Sequence, residues 1–208
     1  MNCPLCESTS NPFHKTKFRN YLRCTSCMSI FIEKSFLPTK DEENKRYLEH
    51  KNDVYDLKYQ NFLKPIVEKV LQFQKPDDEG LDFGAGSHSA IEYLLKQNGY
   101  SICIYDPFFH PYNNNLLKTY DYITLTEVVE HFHSPKLEFQ KLKGLLNPNG
   151  SLYILTHPYD DEIDFENWYY KNDKTHTFFY TKESFEWILN HYGFKNLEIE
   201  GRIIQFQK

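Results

Sequence analysis

The sequence predicts an α/β fold: an open, mostly parallel sheet with helices on both faces, preceded by a small metal-binding ribbon. Three observations predict it. Gly80-Leu81-Asp82-Phe83-Gly84-Ala85-Gly86 reads as a short buried strand running into a glycine turn. The apolar run Ile102-Cys103-Ile104-Tyr105 ends in an acid, Asp106, 24 residues after Asp82. Near the start of the chain, Cys3-Pro4-Leu5-Cys6 and Cys24-Thr25-Ser26-Cys27 form two C-x-x-C knuckles separated by 17 residues.

A chain of 208 residues has room for one α/β domain and a small appendage. Its 40% apolar composition, with 17 Phe and 16 Tyr, supplies a core. A net charge of −5 argues against broad electrostatic attraction to nucleic acid. No apolar run reaches the ~18 residues of a membrane span, and the first residues lack the pattern of a signal peptide. A cytoplasmic protein with no membrane partner is therefore expected.

In a reducing compartment five cysteines are better read as metal ligands than as disulfides. Each knuckle brings two thiolates to one ion, so Cys3, Cys6, Cys24 and Cys27 predict a closed tetrahedral structural Zn²⁺ site. Residues 1–35 then form a zinc ribbon, with Phe13, Phe18, Tyr21, Leu22 and Ile30-Phe31-Ile32 on short strands. Cys103 lies in an apolar strand and reads as core. Residues 36–77 carry apolar side chains at helical intervals (Tyr59, Phe62, Leu63, Ile66, Val67, Val70), predicting a helical linker or cap.

From 78 to 208 strands and helices alternate. Strand 81–84, helix 88–98 and strand 101–106 come first, then strand 120–125 and helix 134–146. Strand 151–156 follows the Asn147-Pro148-Asn149-Gly150 turn, helix 182–192 stops at Gly193, and strands 195–200 and 202–207 read as an antiparallel hairpin. Strand, glycine turn, helix and acid-tipped strand make the nucleotide-binding half of a Rossmann-like sheet: the glycines admit a ligand close to the backbone, and Asp106 is placed for a ribose diol.

Taken together these residues resemble class I S-adenosylmethionine-dependent methyltransferases of the short bacterial type. The resemblance covers 78–208. It rests on Leu81–Gly86, Tyr105-Asp106, Tyr120–Thr124, Glu127-Val128-Val129-Glu130-His131, Leu145–Gly150, Asp173–His176 with Phe178-Phe179-Tyr180, and Gly193-Phe194. It implies S-adenosyl-L-methionine as cofactor, bound by Asp82, Phe83, Gly84, Ala85, Gly86, Asp106, Pro107, Phe108, Thr126 and Glu127. Asp82 would fix the loop or meet the cofactor's amino group, and a side chain at Gly84 would fill cofactor space.

The chain departs from the family after Asp106. Relatives insert a helix, a third strand and a second helix there, but only about 13 residues reach Tyr120, too few for that unit. A sheet lacking its third strand is predicted, with Phe108 or Phe109 either stacking on adenine or packing in the core.

Glu127, Glu130 and His131 are spaced i, i+3, i+4 and would converge on one helical turn. The pattern resembles the metal motif of ubiquinone-biosynthesis and small-RNA 3′-terminal O-methyltransferases, in which His176 would be a further ligand. His131, His176 and Glu130 are thus the candidate catalytic residues. They would act either as proton acceptors or, with Glu127, as ligands of Mg²⁺. The alternative is that Glu127 touches the cofactor and no metal binds. His157-Pro158-Tyr159 is expected to line the acceptor pocket, and His14, His50, His88, His110 and His191 read as surface or local-packing residues. The acidic run Asp160–Asp164 reads as a solvated loop, or, if it faces the pocket, as a feature favouring neutral or cationic acceptors.

The expected activity is methyl transfer to a small-molecule hydroxyl. The rivals are an RNA methyltransferase using Lys15, Lys17, Arg19 and Arg23 of the ribbon, and a non-catalytic interaction protein.

Overall fold

The computed structural model describes residues 1–49 and 53–208; His50 lies outside them. Strands β1 (Ser10–Lys15), β2 (Asn20–Cys24) and β3 (Ile30–Ile32) form an antiparallel ribbon. Helix α1 (Lys40–Leu48) starts at a capping box in which Thr39 and Glu42 satisfy each other's backbone N–H groups. Helix α2 (Leu57–Phe73) buries Leu63, Ile66, Val67 and Val70, the one face its sequence marks as apolar.

The main sheet begins with β4 (Gly80–Phe83), followed by α3 (Ala90–Gln97), β5 (Ile102–Tyr105), β6 (Tyr120–Thr126), α4 (Pro135–Gly144) and β7 (Leu146–Leu155). A two-residue strand β8 (Phe178–Phe179), helix α5 (Lys182–Tyr192) and strands β9 (Asn196–Glu200) and β10 (Ile203–Gln207) complete the chain. The spatial order is β5-β4-β6-β7-β10-β9, parallel from β5 to β7 and antiparallel through the closing hairpin.

Alternation along the central strands divides the core in two. Tyr122, Tyr153, Leu155 and Ile203 face α2 and α3. Ile123, Leu125, Leu152, Ile154, Ile204 and Phe206 face the layer that holds α4 and α5.

The third strand is absent, as the short connection requires. Residues 107–119 instead fold along β5: a 3-10 turn at Asn113–Leu116 places the Asn115 amide against the Ile104 carbonyl at 3.0 Å. The edge carbonyl is thus satisfied without another strand. A second difference is that β7 starts at Leu146, with the Asn-Pro-Asn-Gly turn inside it. Tyr120 pairs with Leu146 and Tyr122 with Ser151, so the turn is a bulge in the strand rather than a loop before it.

The ribbon is joined to the main body. β3 pairs antiparallel with β8, Ile30 opposite Phe179 and Phe31 opposite Phe178. Cys3, Leu5, Cys24 and Cys27 share one core with Phe178, Tyr180 and Phe185. The Ser184 hydroxyl donates to the Cys27 carbonyl, and Tyr192 donates to Leu5.

Candidate active site

An open cleft of about 1960 Å³ lies at the carboxyl ends of β4, β5 and β6. Order switches sides about β4 here, the usual ligand position in an open α/β sheet. Phe83, Gly84, Gly86, Asp106, Pro107, Phe108, Thr126 and Glu127 all line it.

Gly84 and Gly86 adopt left-handed backbone, with φ of 83° and 65°. The N–H groups of Gly84 and Ala85 both donate to the Tyr105 carbonyl, tying the turn to β5. The Asp106 carboxylate accepts from Gly86, Phe108 and Phe109 backbone N–H groups, so the acid and the loop fix each other. Asp82 is buried beneath them and accepts from the Ser89 and Thr124 hydroxyls. Burial pushes its carboxyl up to about 6, against those two hydrogen bonds. Of the two roles considered for Asp82, loop fixing is the one these partners describe. Ser89 in turn caps α3 by accepting from Glu92.

A Cβ on Gly84 would lie 2.5 Å from Val128 Cγ2, so Val128 is the neighbour such a side chain meets. Gly84→Ala is expected to cost about 2–4 kcal/mol from left-handed strain and overpacking together. Adding Val128→Ala should recover the steric part only. Thermal unfolding of the three variants checks this: full recovery would mean that backbone strain plays no part.

Behind the cleft lining Glu130 is fully buried. Tyr170 donates to its Oε1 at 2.5 Å and Thr156 Oγ1 lies 3.0 Å from its Oε2. Burial, then the charge of Glu127, pushes its carboxyl up to about 8. His176 Nε2 lies 3.9 Å from Glu130 Oε1. His176 Nδ1 meets the Tyr170 carbonyl at 2.7 Å, and His131 Nδ1 meets the Thr175 carbonyl at 3.0 Å. A carbonyl only accepts, so each Nδ1 carries a hydrogen. The ligand atoms of Glu130, His131 and His176 lie within 4.8 Å of one another.

The four cysteine sulfurs meet the same limit. Cys3 and Cys27 Sγ are 3.6 Å apart, and Cys6 and Cys24 Sγ 3.2 Å. A tetrahedral ion with Zn–S of ≈ 2.3 Å would need roughly 3.8 Å, so the donor set fits zinc after a small expansion. Burial pushes Cys24 up to about 11, while hydrogen bonding from Cys3 brings Cys27 down to about 5. Holding all four as thiolates would need a cation among them.

The methyltransferase domain family matches residues 55–199. The chain belongs to that family. Its fold is that of the class I S-adenosylmethionine-dependent methyltransferases. It is similar to a 1,6-didemethyltoxoflavin-N1-methyltransferase of Burkholderia thailandensis, solved with S-adenosylhomocysteine: TM-score 0.57, 14% identity, 95% of this chain and 99% of that one. Human N-acetylserotonin methyltransferase in complex with SAM gives TM-score 0.57 at 13% identity, over 83% of this chain and 60% of that one. An O-methyltransferase family protein of Burkholderia thailandensis gives 0.55 at 12%, over 84% and 64%. This methyltransferase domain thus spans less than two thirds of the last two. None of the curated proteins compared with the chain matches it.

Two sequence expectations are corrected within the methyltransferase site. Glu127, Glu130 and His131 do not share a helical turn. Glu127 has φ of 52°, Val129–His131 is a 3-10 turn, and the helix begins only at Pro135. The left-handed step sends the Glu127 carboxylate to Arg202 Nη2 at 2.5 Å, outside the Glu130–His131–His176 group. His157, Pro158 and Tyr159 lie outside the cleft lining: His157 packs on Trp168, Tyr169 and Tyr170, and Tyr159 is buried against Phe165. Tyr169 and Tyr170 line the cleft instead.

Asp160–Asp164 is also outside it. Asp161 pairs with Arg23 of the ribbon, and Asp164 caps the turn at Glu166 and Asn167. Phe108 faces Tyr47 of α1 at 5.2 Å between ring centroids.

The sequence does not mark Arg202, Thr156 or Arg46. Each acts across at least 60 positions or from outside a motif, so no local pattern marked it.

Proposed function

We propose that the chain binds S-adenosyl-L-methionine in this cleft and transfers its methyl group to a small-molecule oxygen nucleophile. One observation carries the cofactor reading. Thr126 Oγ1, at the end of β6 and lining the cleft, is buried without a hydrogen-bond partner. Such a hydroxyl costs free energy unless a ligand completes it, and it stands across the cleft floor from the Gly84–Gly86 turn. Asp106, oriented by three backbone N–H groups, is placed for the ribose diol, and Phe108 and Tyr47 for the adenine.

The bound cofactor supplies a sulfonium-activated methyl for in-line displacement. The chain's own residues orient the partners and accept the proton the acceptor loses. His131 and His176 suit the second task because both hold a hydrogen on Nδ1, which leaves Nε2 to accept in the neutral ring, with Glu130 beneath His176. The same three groups make the donor set for Mg²⁺, and Glu127 stands apart from it. Cys3, Cys6, Cys24 and Cys27 hold structural Zn²⁺, which has no open position for chemistry.

A small acceptor is favoured over RNA because two of the four basic ribbon residues are spent internally. Arg19 donates to three carbonyls of residues 173–176, and Arg23 pairs with Asp161.

Thr126→Val tests the carrying observation in both directions. The variant is expected to be as stable as the parent or more so without ligand, since an orphaned hydroxyl is removed. It is expected to bind S-adenosylmethionine about 5- to 10-fold more weakly, the loss of one hydrogen bond. Calorimetry on zinc-loaded protein reads the affinity. No heat with the parent chain would sink the enzyme reading, and equal affinity would remove Thr126 from the site.

A further inference from the structure

Both imidazoles of the candidate site take their tautomer from one segment, residues 170–176. Thr175 offers the carbonyl to His131, and Tyr170 offers the carbonyl to His176 itself. The segment lacks regular hydrogen bonding of its own beyond a short 3-10 turn at Tyr169–Asn172. Inside it, Thr175 donates to the Asp173 carboxylate and His176 N–H to the Asp173 carbonyl, and its other contacts come from elsewhere in the chain.

Arg19 closes the β1–β2 hairpin and reaches across to this segment. Its Nη1 donates to the Asp173 carbonyl at 3.2 Å and to the His176 carbonyl at 3.1 Å, and its Nη2 donates to the Lys174 carbonyl. The hairpin turn is built to aim it. Thr16 Oγ1 accepts from the Phe18 and Arg19 N–H groups, and Thr16 N–H donates to the Arg19 carbonyl. A planar guanidinium with five donors in fixed directions can gather three carbonyls at once, which an ammonium on a flexible stem does poorly.

The ribbon makes one further contact in the same direction, and it continues to Glu130. Ile32 N–H donates to the Thr177 carbonyl, and Thr177 N–H donates to the Glu130 carbonyl. From α1, Arg46 Nε and Nη2 grip the Asp173 carboxylate at 3.0 and 2.8 Å, and the same carboxylate accepts from Thr175 N–H and Oγ1.

Arg19 and Arg46 both lie before residue 55, outside the matched methyltransferase residues. The catalytic-domain segment with His176 is therefore held by a part of the chain that the family match does not include.

We propose that Arg19 is a positioning residue. By collecting the carbonyls of Asp173, Lys174 and His176 it sets the 170–176 segment so that His131 and His176 both keep hydrogen on Nδ1. The zinc ribbon is then an assembly element of the proton-accepting site rather than a nucleic-acid module. This inference rests on the methyl-transfer reading for its meaning, but its test does not depend on turnover. Arg19 lines the cleft, but its guanidinium is committed to the three carbonyls. It acts through the two histidines.

The test is long-range ¹H–¹⁵N correlation spectroscopy of the histidine rings at pH 8, on zinc-loaded parent chain, Arg19→Gln and Arg19→Lys. The parent is expected to give His131 and His176 as single Nδ1–H tautomers, with widely split ring nitrogens. In Arg19→Gln both should shift toward the averaged pattern of exchanging tautomers, with zinc content unchanged. Arg19→Lys should recover only part of the splitting. Spectra of Arg19→Gln matching the parent would overturn the proposal. Should Arg19→Gln lose zinc, Arg19→Lys decides, and a fully parental spectrum there overturns it as well. Calorimetry with S-adenosylmethionine on the parent chain reads the underlying methyltransferase assignment separately, so loss of that assignment leaves the spectroscopic outcome intact.

Discussion

Removing the zinc proposed for the four cysteines, by chelation or by Cys27→Ser, is expected to unfold the ribbon and to disorder the wall of the active-site cleft with it. Structural zinc contributes roughly 10–16 kcal/mol to small zinc domains, comparable to or larger than the ~5–15 kcal/mol of a whole domain's stability. Here the loss would not stay local. Cys24 and Cys27 sit in one core with Phe178, Tyr180 and Phe185, and β3 is the only described strand that pairs with β8. Without β3, Phe178 and Phe179 lose their ladder, and Thr177 loses the Ile32 N–H that its carbonyl accepts. Trp168 makes the event visible. It is buried, and its ring lies 5.5 Å from Phe179 and 5.9 Å from Phe165. Chelation should move its fluorescence to the red and reduce the near-ultraviolet circular dichroism of the surrounding rings. Trp187, on α5 and packed against the core that holds the cysteines, should respond as well, so the Trp168 signal is read in a Trp187→Phe background. Unchanged Trp168 emission and an unchanged Tm in zinc-free protein would show that the four cysteines do not hold the fold.

That coupling was invisible in the sequence for a physical reason. β8 is two residues long, and its pairing spans about 148 positions, from Ile30-Phe31 to Phe178-Phe179. Local propensity carries no information about such a partner. The readable features were those whose chemistry is local. The C-x-x-C knuckles, the Gly84–Gly86 turn and Asp106 each declare their role within a few residues, and the missing third strand followed from counting residues between Asp106 and Tyr120. Glu127 failed for the opposite reason. Helical spacing placed it with Glu130 and His131, but a left-handed step at φ 52° and an arginine 75 positions away redirect it. A non-glycine residue in that region is strained by about 1–3 kcal/mol, and the Arg202 ion pair over the Phe62 and Tyr170 rings offsets this. Spacing along one segment cannot anticipate a long-range ion pair.

Glu130→Gln is expected to stabilise the protein increasingly as pH rises. The Glu130 carboxyl is fully buried and pushed up to about 8 in the folded chain, from an ordinary 4.5. Below about 4.5 it is protonated in both states, and its stability contribution is fully present. Between about 4.5 and 8 the unfolded chain has given up the proton while the folded chain keeps it, so stability falls by about 1.4 kcal/mol per pH unit. Above about 8 both states are ionised, and the loss levels off. The surrounding groups fit the protonated form. Tyr170 donates to Oε1, a protonated Oε2 can donate to Thr156 Oγ1, and the Thr156 hydroxyl can turn to the Tyr170 oxygen 3.0 Å away. Glutamine reproduces that pattern with its amide and never ionises. Parallel denaturant titrations of parent and Glu130→Gln from pH 6 to 9 should therefore diverge, with the gap widening to about pH 8 and then holding. Parallel curves would mean that Glu130 is already ionised at pH 6. The buried acid would then stand as a carboxylate facing His176, and that outcome would favour the divalent-cation role of the Glu130–His131–His176 group over its role as a proton acceptor.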